Sequence, residues 1–410
     1  MPAQKRNGLN ILCNPRQNGK EDRTHSPMIL DSPVRLTGCR PSRVTGRNTR
    51  TEEATCRSRI SALTSRSTAP RATPHDTVDA ATIAAFQSVD ADAFTRIAKR
   101  HGRELHVHCY RMIGSLDDAD DLVQETLMRA WTRRGSYEAR AGIRAWLYRI
   151  ATNVCIDFIR SRAARSADHN DRGAPSYARF PWMQPYPDAL LEAPVSDSAL
   201  PDFQTVTRDT IELAFLVAIQ TLPAKQRAVF ILRDVLDFSA AETALVLDDT
   251  IAAVNSALQR ARASLERRRE GAGDAVERSV TSFDEAVLVH RMMDAQDRGD
   301  VGAMVDLLRD DVRMTLFPEA TTWDGREEVA RELRSKRASF DGDVRSVPIA
   351  ANRQPAIAVY VRHPGDTEFR AWAVILLGVR EGQLREIATF ASPELFTRFE
   401  LPVILPHGVS

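Results

Sequence analysis

Apolar positions in residues 143–162 (IRAWLYRIATNVCIDFIRSR) recur at helical spacing: Leu147, Ile150, Ala151, Val154, Cys155, Phe158 and Ile159. This repeat is the buried stripe of one helix. The other face carries Arg149, Asn153, Asp157 and Arg160, with Arg140 and Arg144 just upstream. A basic, amide-bearing face suits a phosphate backbone and base edges. A solvated surface helix has the same pattern, so this stretch alone decides nothing.

The same period predicts helices over residues 79–88 and 92–113, with Phe86, Phe94, Ile97, Leu105, Val107 and Tyr110 as core. Gly114-Ser115 interrupts, and Ser115 three residues before Asp118 reads as an N-terminal cap. Residues 117–131 (DDADDLVQETLMRAW) then bury Ala119, Leu122, Val123, Thr126, Leu127, Ala130 and Trp131. Asp120, Asp121, Gln124, Glu125 and Met128 lie off that stripe.

Residues 166–204 lose the period and hold six prolines, with Trp182 and Tyr186 among them, which predicts a linker with local aromatic anchoring. Helical pattern returns over residues 206–222, stopped at Pro223, and over 224–235. Ser239-Ala-Ala-Glu242 is a capping box opening a short helix, residues 240–247. Asp248-Asp249 makes a turn, and Thr250 caps a longer helix to residue 268 with Ile251, Val254, Leu258, Ala261 and Leu265 inward. Thr250, Ala253, Asn255, Ser256, Gln259, Arg260 and Arg262 lie wholly or partly outward. Short helix, tight turn and longer polar-faced helix is the helix-turn-helix layout, although a plain helical bundle shares it. Asn and Gln pair with adenine and Arg with guanine in a major groove.

After a second linker, residues 271–280, the period changes. Helices over 283–298, 301–308 and 326–337 accompany strands over 312–317, 344–351, 356–362, 369–379 and 384–390. Gly365-Asp366 and Glu381-Gly382 read as hairpin turns. The fold class is therefore multidomain: two all-α domains at 78–165 and 205–270, then an α+β domain at 281–402.

Composition alters little. The 410 residues allow two or three cores, and 43% apolar with 27% charged residues is ordinary for a soluble chain. A net charge of +1 confines any nucleic-acid surface to local patches. Residues 1–77 lack a period and read as disordered. In residues 1–80 fourteen basic residues outnumber seven acidic ones, a net of about +7. Either a nonspecific DNA-attracting tail or an overlong start-site assignment fits that segment. Cys13, Cys39, Cys56, Cys109 and Cys155 form no CxxC pair, which points to a reducing cytoplasm without a disulfide frame. His106-Val-His108-Cys109 lacks the geometry to converge on a metal from one helix, and no run reaches the ~18 apolar residues of a membrane span.

The blocks CYRMIGSLDDADDLVQETLMRAW, IRAWLYRIATNVCIDFIRSR and LPAKQRAVFILRDVLDFSAAETALVLDDTIAAVNSALQRARASL resemble, in order and spacing, regions two and four of the extracytoplasmic-function (group four) sigma-70 factors of bacterial RNA polymerase. TTWDGREEVA, ANRQPAIAVYV and REIATFASPELFTRF resemble the SnoaL-like cone of the nuclear-transport-factor-two type. With the linker WMQPYPD, the combination is similar to the SigG-type members of that family.

The resemblance implies promoter recognition and transcription initiation together with core RNA polymerase. It implies docking on the β′ clamp through Asp120, Asp121, Gln124, Glu125, Met128 and Arg129, and contact with the β flap. The −10 element would meet Arg140, Arg144, Trp146, Tyr148, Arg149, Asn153 and Arg160, with a base pocket in the loop at 134–142. The −35 element would meet Thr250, Ala253, Asn255, Ser256, Gln259 and Arg260. Asp248-Asp249 departs from the family pattern, in which Gly is common; Asp tolerates the left-handed conformation but brings acids close to phosphates.

In the C-terminal domain Trp323, His363, Arg370 and Trp372, with Asp324 nearby, are the candidate pocket residues for an unknown small ligand. The expectation is a non-enzymatic, cytoplasmic protein with no catalytic residue, metal or cofactor, whose C-terminal domain modulates the rest. Two other readings are a one-component, ligand-sensing DNA-binding regulator and a SnoaL-like enzyme fused to a DNA-binding part.

Overall fold

A computed structural model describes residues 91–137, 142–165, 180–192, 210–271 and 282–405. The extension at 1–77, the helix expected over 79–88 with Phe86, and Arg140 lie outside the described residues. Helix α1 (Ala91–Ile113) ends where Gly114 takes φ +80°. Helix α2 (Leu116–Arg133) begins at Ser115, whose Oγ accepts the Asp118 N–H at 3.2 Å. Asp117 and Asp118 in its first turn complement the helix dipole. Helix α3 (Ile143–Arg165) packs on both. Leu105, Tyr110, Met112, Leu122, Ala130, Leu147, Ala151 and Val154 fill the space between them, as their spacing requires.

The Pro-rich segment is anchored over residues 180–192, ending in a short helix α4 (Asp188–Glu192). Trp182 Nε1 donates to the Ile113 carbonyl at 3.1 Å, and Tyr186 is fully buried. Of the helix expected over 206–222, residues 206–209 lie outside the described residues, and the next described α-helix is α5 (Leu213–Gln220). Glu212 is extended, and the Leu213 N–H donates instead to Gln354 Oε1 at 2.8 Å, in the C-terminal domain. Pro223 opens α6 (Ala224–Phe230), which continues as a π turn over Ile231–Val235. Ser239 and Glu242 form the expected capping box of α7 (Ala240–Leu247). Asp248, at φ 53° and ψ 53°, ends α7 in the left-handed region, and α8 (Ile251–Gly271) follows.

The C-terminal domain runs α9 (Ser282–Asp297), α10 (Val301–Asp306), β1 (Leu308–Phe317), β2 (Thr321–Asp324), α11 (Arg326–Ser339), β3 (Asp343–Ala351), β4 (Gln354–Arg362), β5 (Phe369–Arg380), β6 (Gln383–Phe390), α12 (Leu395–Arg398) and β7 (Ile404–Leu405). The strand order is β2-β1-β6-β5-β4-β3, with β7 on β5; only β1 and β6 run parallel. Alternation divides the sheet. Ile357, Val359, Ile375, Leu377 and Ile387 share a core with α9, while Ala356, Ala358, Tyr360, Leu376 and Phe390 join the core of the helical domains. Strand β2 and helix α12 have no counterpart in the periodicity, and β1 starts four residues before the expected strand.

The β3–β4 turn is the keystone between these domains. Asn352 and Arg353 both have φ +56°, a two-residue hairpin turn that Asn favours. Asn352 is fully buried, and its Nδ2 donates to Tyr110 Oη at 2.9 Å and to the Ile211 carbonyl at 2.8 Å. Its Oδ1 accepts the Tyr186 N–H at 2.8 Å, and its own N–H donates to the Tyr186 carbonyl at 2.8 Å. One side chain thus ties α1, the linker and the approach to α5 to the C-terminal sheet. The two helical domains also meet directly. Arg111 Nε donates to the Thr210 carbonyl at 2.9 Å, and Gln220 Nε2 to the Arg111 carbonyl at 2.9 Å.

Candidate nucleic-acid and polymerase interfaces

On α2, Asp121, Gln124, Glu125 and Met128 fall at i, i+3, i+4 and i+7 and share one face. Asp121, Gln124 and Met128 are exposed, Met128 to 60%. Glu125 pairs with Arg129 at 2.6 Å, and Arg129 reaches Asp157 of α3 at 3.9 Å. Asp120 is already engaged. Its Oδ1 faces His106 Nε2 at 2.9 Å, and its Oδ2 faces Arg398 Nη1 at 2.7 Å. Its carboxyl lies below the usual range, chiefly through the hydrogen bond with His106 and further through Arg398. Arg398 also grips Asp117 Oδ1 through Nη2 at 2.5 Å. Gln184 from the linker accepts the Leu116 and Asp117 N–H groups at 2.8 and 3.0 Å and donates to Asp117 Oδ2 at 2.7 Å. His106 turns to Asp120 and Tyr186, whereas His108 turns inward to Thr152 and burial pushes it down to about 3, so the two rings serve different neighbours.

On α3, Arg149, Asn153 and Arg160 are exposed as expected, and Arg160 lies 3.8 Å from Asp157. Trp146 is half-buried against Tyr137, with ring centroids 5.3 Å apart. Two residues sit differently. Tyr148 is fully buried, its ring 4.9 Å from His108 and 5.2 Å from Phe238, so it offers no surface to DNA in this arrangement. Its position beside the apolar stripe becomes interior because α7 covers α3 from a second side. Burial also raises its phenol well above the usual range. Arg144 donates through Nε to Glu104 Oε2 at 2.9 Å and lies over the rings of Tyr148 and Phe238. Burial pushes the Glu104 carboxyl up, but the His101 hydrogen bond and Arg144 outweigh it and hold the group below its usual range.

On α8, Thr250, Asn255, Gln259 and Arg260 are exposed, and Ala253 and Ser256 are half-buried. Thr250 Oγ1 caps the helix by accepting the Ala253 N–H at 3.1 Å, and Arg260 Nη1 donates to Ser256 Oγ at 2.6 Å. Arg262 is committed elsewhere, in a two-pronged pair with Asp234 at 2.8 and 2.6 Å. Val254, Ala257, Leu258 and Ala261 hold the opposite face in the core, which aims the polar face outward.

Of the four C-terminal candidates, Trp323 and Trp372 pack against the same α9-side core, while His363 and Arg370 have other neighbours. Trp323 lies under Lys336, His363 meets Phe340, Arg370 pairs with Glu368 at 3.7 Å, and Trp372 packs on the α9 side of the sheet. Asp324 pairs with Arg313 at 2.6 Å. A shallow surface concavity of about 390 Å³ is lined by Val305, Arg326, Ala330 and Arg334, none of them a predicted pocket residue.

Sequence reasoning did not find Gln184, Phe238 or Arg398. Of these, Phe238 carried a local signal, as an aromatic residue directly before the Ser239 cap.

Family models match the chain in three places: sigma-70 region 2 over residues 97–165, sigma-70 region 4 over 212–265, and a SnoaL-like domain over 289–387. The chain is 34% identical over 320 residues to the ECF RNA polymerase sigma factor SigG of Mycobacterium tuberculosis, covering 75% of this chain and 84% of that protein. It is 27% identical over 301 residues to the sigma factor SigJ of the same species, covering 70% of this chain and 88% of that one. The crystal structure of Mycobacterium tuberculosis SigJ aligns with a TM-score of 0.49 at 20% identity, over 75% of this chain and 99% of that chain.

Proposed function

The chain belongs to the extracytoplasmic-function sigma factors of RNA polymerase, and from that premise we propose which surface does what. Its region two and region four domains serve promoter recognition and transcription initiation. Helix α2 docks on core polymerase through Asp121, Gln124, Glu125 and Met128, with Asp120 and Arg129 at the edge. Helix α3 and the loop before it handle the −10 element through Arg149, Asn153 and Arg160, with Arg144 and Trp146 at the margin. Helix α8 reads the −35 element through Asn255, Gln259 and Arg260.

The observation that carries the docking assignment is Met128. It stands 60% exposed on a face of carboxylates and an amide. That face lies within the stretch that matches sigma-70 region 2, which supports reading it as the docking surface. We read the C-terminal domain as a modulator and not as an enzyme, acting in the cytoplasm. Arg398 holds Asp120, at the edge of the docking face, and its neighbour Asp117, so this domain and polymerase compete for Asp120.

The test is binding of core polymerase to the chain carrying Asp121→Lys and Glu125→Lys together. Affinity should fall by about tenfold or more, because reversed charge at an interface is repulsive as well as unpaired. Unchanged affinity would overturn the docking assignment.

A further inference from the structure

The Asp248-Asp249 turn needs a residue that accepts φ 53°, which Gly supplies without strain. Two carboxylates there also oppose the phosphates that α8 must approach. Each has a cation in this structure. Asp249 Oδ2 meets Lys225 Nζ of α6 at 2.5 Å, within its own domain. Asp248 Oδ2 reaches across to Arg149 Nη2 of α3 at 3.7 Å. At the other end of α7, Phe238 is buried against the Tyr148 ring and lies 4.9 Å from the Arg144 guanidinium. Both ends of α7 therefore rest on residues of the helix assigned to the −10 element.

We propose that Asp248 is an intramolecular stand-in for a promoter phosphate: with Phe238 it holds α7 over the −10 surface of α3 until core polymerase draws the two helical domains apart. This rests on the assignment of α3 to the −10 element. A guanidinium accepts a carboxylate or a phosphate through the same donors, so Arg149 exchanges one anion for the other. Opening also breaks the Arg111 bonds to Thr210 and the Gln220 bond to the Arg111 carbonyl, so the Asp248–Arg149 pair is one of several contacts across the seam.

The experiment measures the affinity of the full chain for core polymerase without DNA. It compares the wild type with Asp248→Asn, Arg149→Gln, both together, and the charge exchange Asp248→Arg with Arg149→Asp. None of these positions lies on α2, and the charge exchange separates the cost of opening from any direct polymerase contact of the region four domain. Each single change should tighten binding by about two- to fivefold, the range of an exposed ion pair. The double change should add nothing further, and the charge exchange should return affinity to that of the wild type. Unchanged single variants, or single effects that multiply in the double variant, overturn the proposal. A second arm measures binding of a −10 fork-junction DNA by the assembled holoenzyme. If Arg149→Gln leaves that unchanged, the −10 assignment of α3 fails. If that arm shows weakening while polymerase affinity does not respond, the phosphate stand-in alone fails.

Discussion

Arg398 reaches Asp120 through a 2.7 Å contact between Nη1 and Oδ2, linking helix α12 of the C-terminal domain to α2, the helix proposed to dock on polymerase. The same guanidinium holds Asp117, 281 residues away in sequence. Removing it should free the docking face. Arg398→Ala is expected to raise affinity for core polymerase by about two- to tenfold, since two part-exposed pairs contribute up to about 1 kcal/mol each. Equilibrium binding of labelled chain to core polymerase checks this, and run-off transcription should rise in parallel. An affinity equal to that of the wild type would remove Arg398 from the modulating contact.

Acid should loosen the same contact in a defined window. The Asp120 carboxyl is depressed in the folded chain, first by the His106 hydrogen bond. A depressed carboxyl contributes stability that is present above its unfolded pKa of about 3.9 and is lost as pH falls through the folded value. The part supplied by Arg398 is therefore retained until the carboxylate protonates, below about pH 4. Denaturant unfolding from pH 6 to pH 3 should show a shallower acid loss for Asp120→Asn than for the wild type. Parallel profiles would exclude Asp120 as a contributor.

These contacts mark the limit of what the residues disclose by themselves. The stripe of Leu147, Ile150, Ala151 and Val154 made α3 legible as a helix, although Tyr148, Thr152 and Ile156, off that stripe, are buried as well. Ser239 and Glu242 marked the start of α7 for the same local reason, through a capping box whose two halves lie three residues apart. The strands of the C-terminal sheet were legible from alternation, but the sheet buries both faces, one against α9 and the other against the helical domains together with α12. Which surface its other face would meet depended on the Asn352 turn, whose partners Tyr110, Tyr186 and Ile211 lie far away in sequence. The same holds for Arg398. A lone arginine in FASPELFTRF carries no mark of the carboxylates it will grip. Tyr148 was misplaced because its burial depends on α7, an element of another domain.

Asn352 should be the costliest single polar residue at the domain junction. Asn352→Ala leaves the Tyr186 N–H and the Ile211 carbonyl without these partners in a buried setting, at about 1–3 kcal/mol for each group. It also places a Cβ-bearing residue without a local hydrogen bond at φ +56°. A loss of about 2–5 kcal/mol in denaturant unfolding is expected. Asn352→Gly separates the two causes: it accepts the backbone angle but makes no side-chain bonds, so it should recover only the backbone part. A glycine variant as stable as the wild type would show that the hydrogen bonds contribute little.

Tyr148 offers a sharp contrast between a core residue and a DNA contact. Its ring is fully buried between His108 and Phe238, and its hydroxyl lies 3.3 Å from Glu104 Oε2. Truncation to Ala would open a cavity the size of an aromatic ring and should cost about 3–5 kcal/mol of stability. Tyr148→Phe keeps the ring and loses only the long hydroxyl contact, so it should cost about 1 kcal/mol or less. If Tyr148 acts through packing, holoenzyme binding to a −10 fork-junction DNA should be nearly unchanged for the Phe variant, and the Ala variant should lose stability and binding together. A Phe variant of full stability that binds the fork junction tenfold more weakly would show that the hydroxyl reaches DNA once the two helical domains separate.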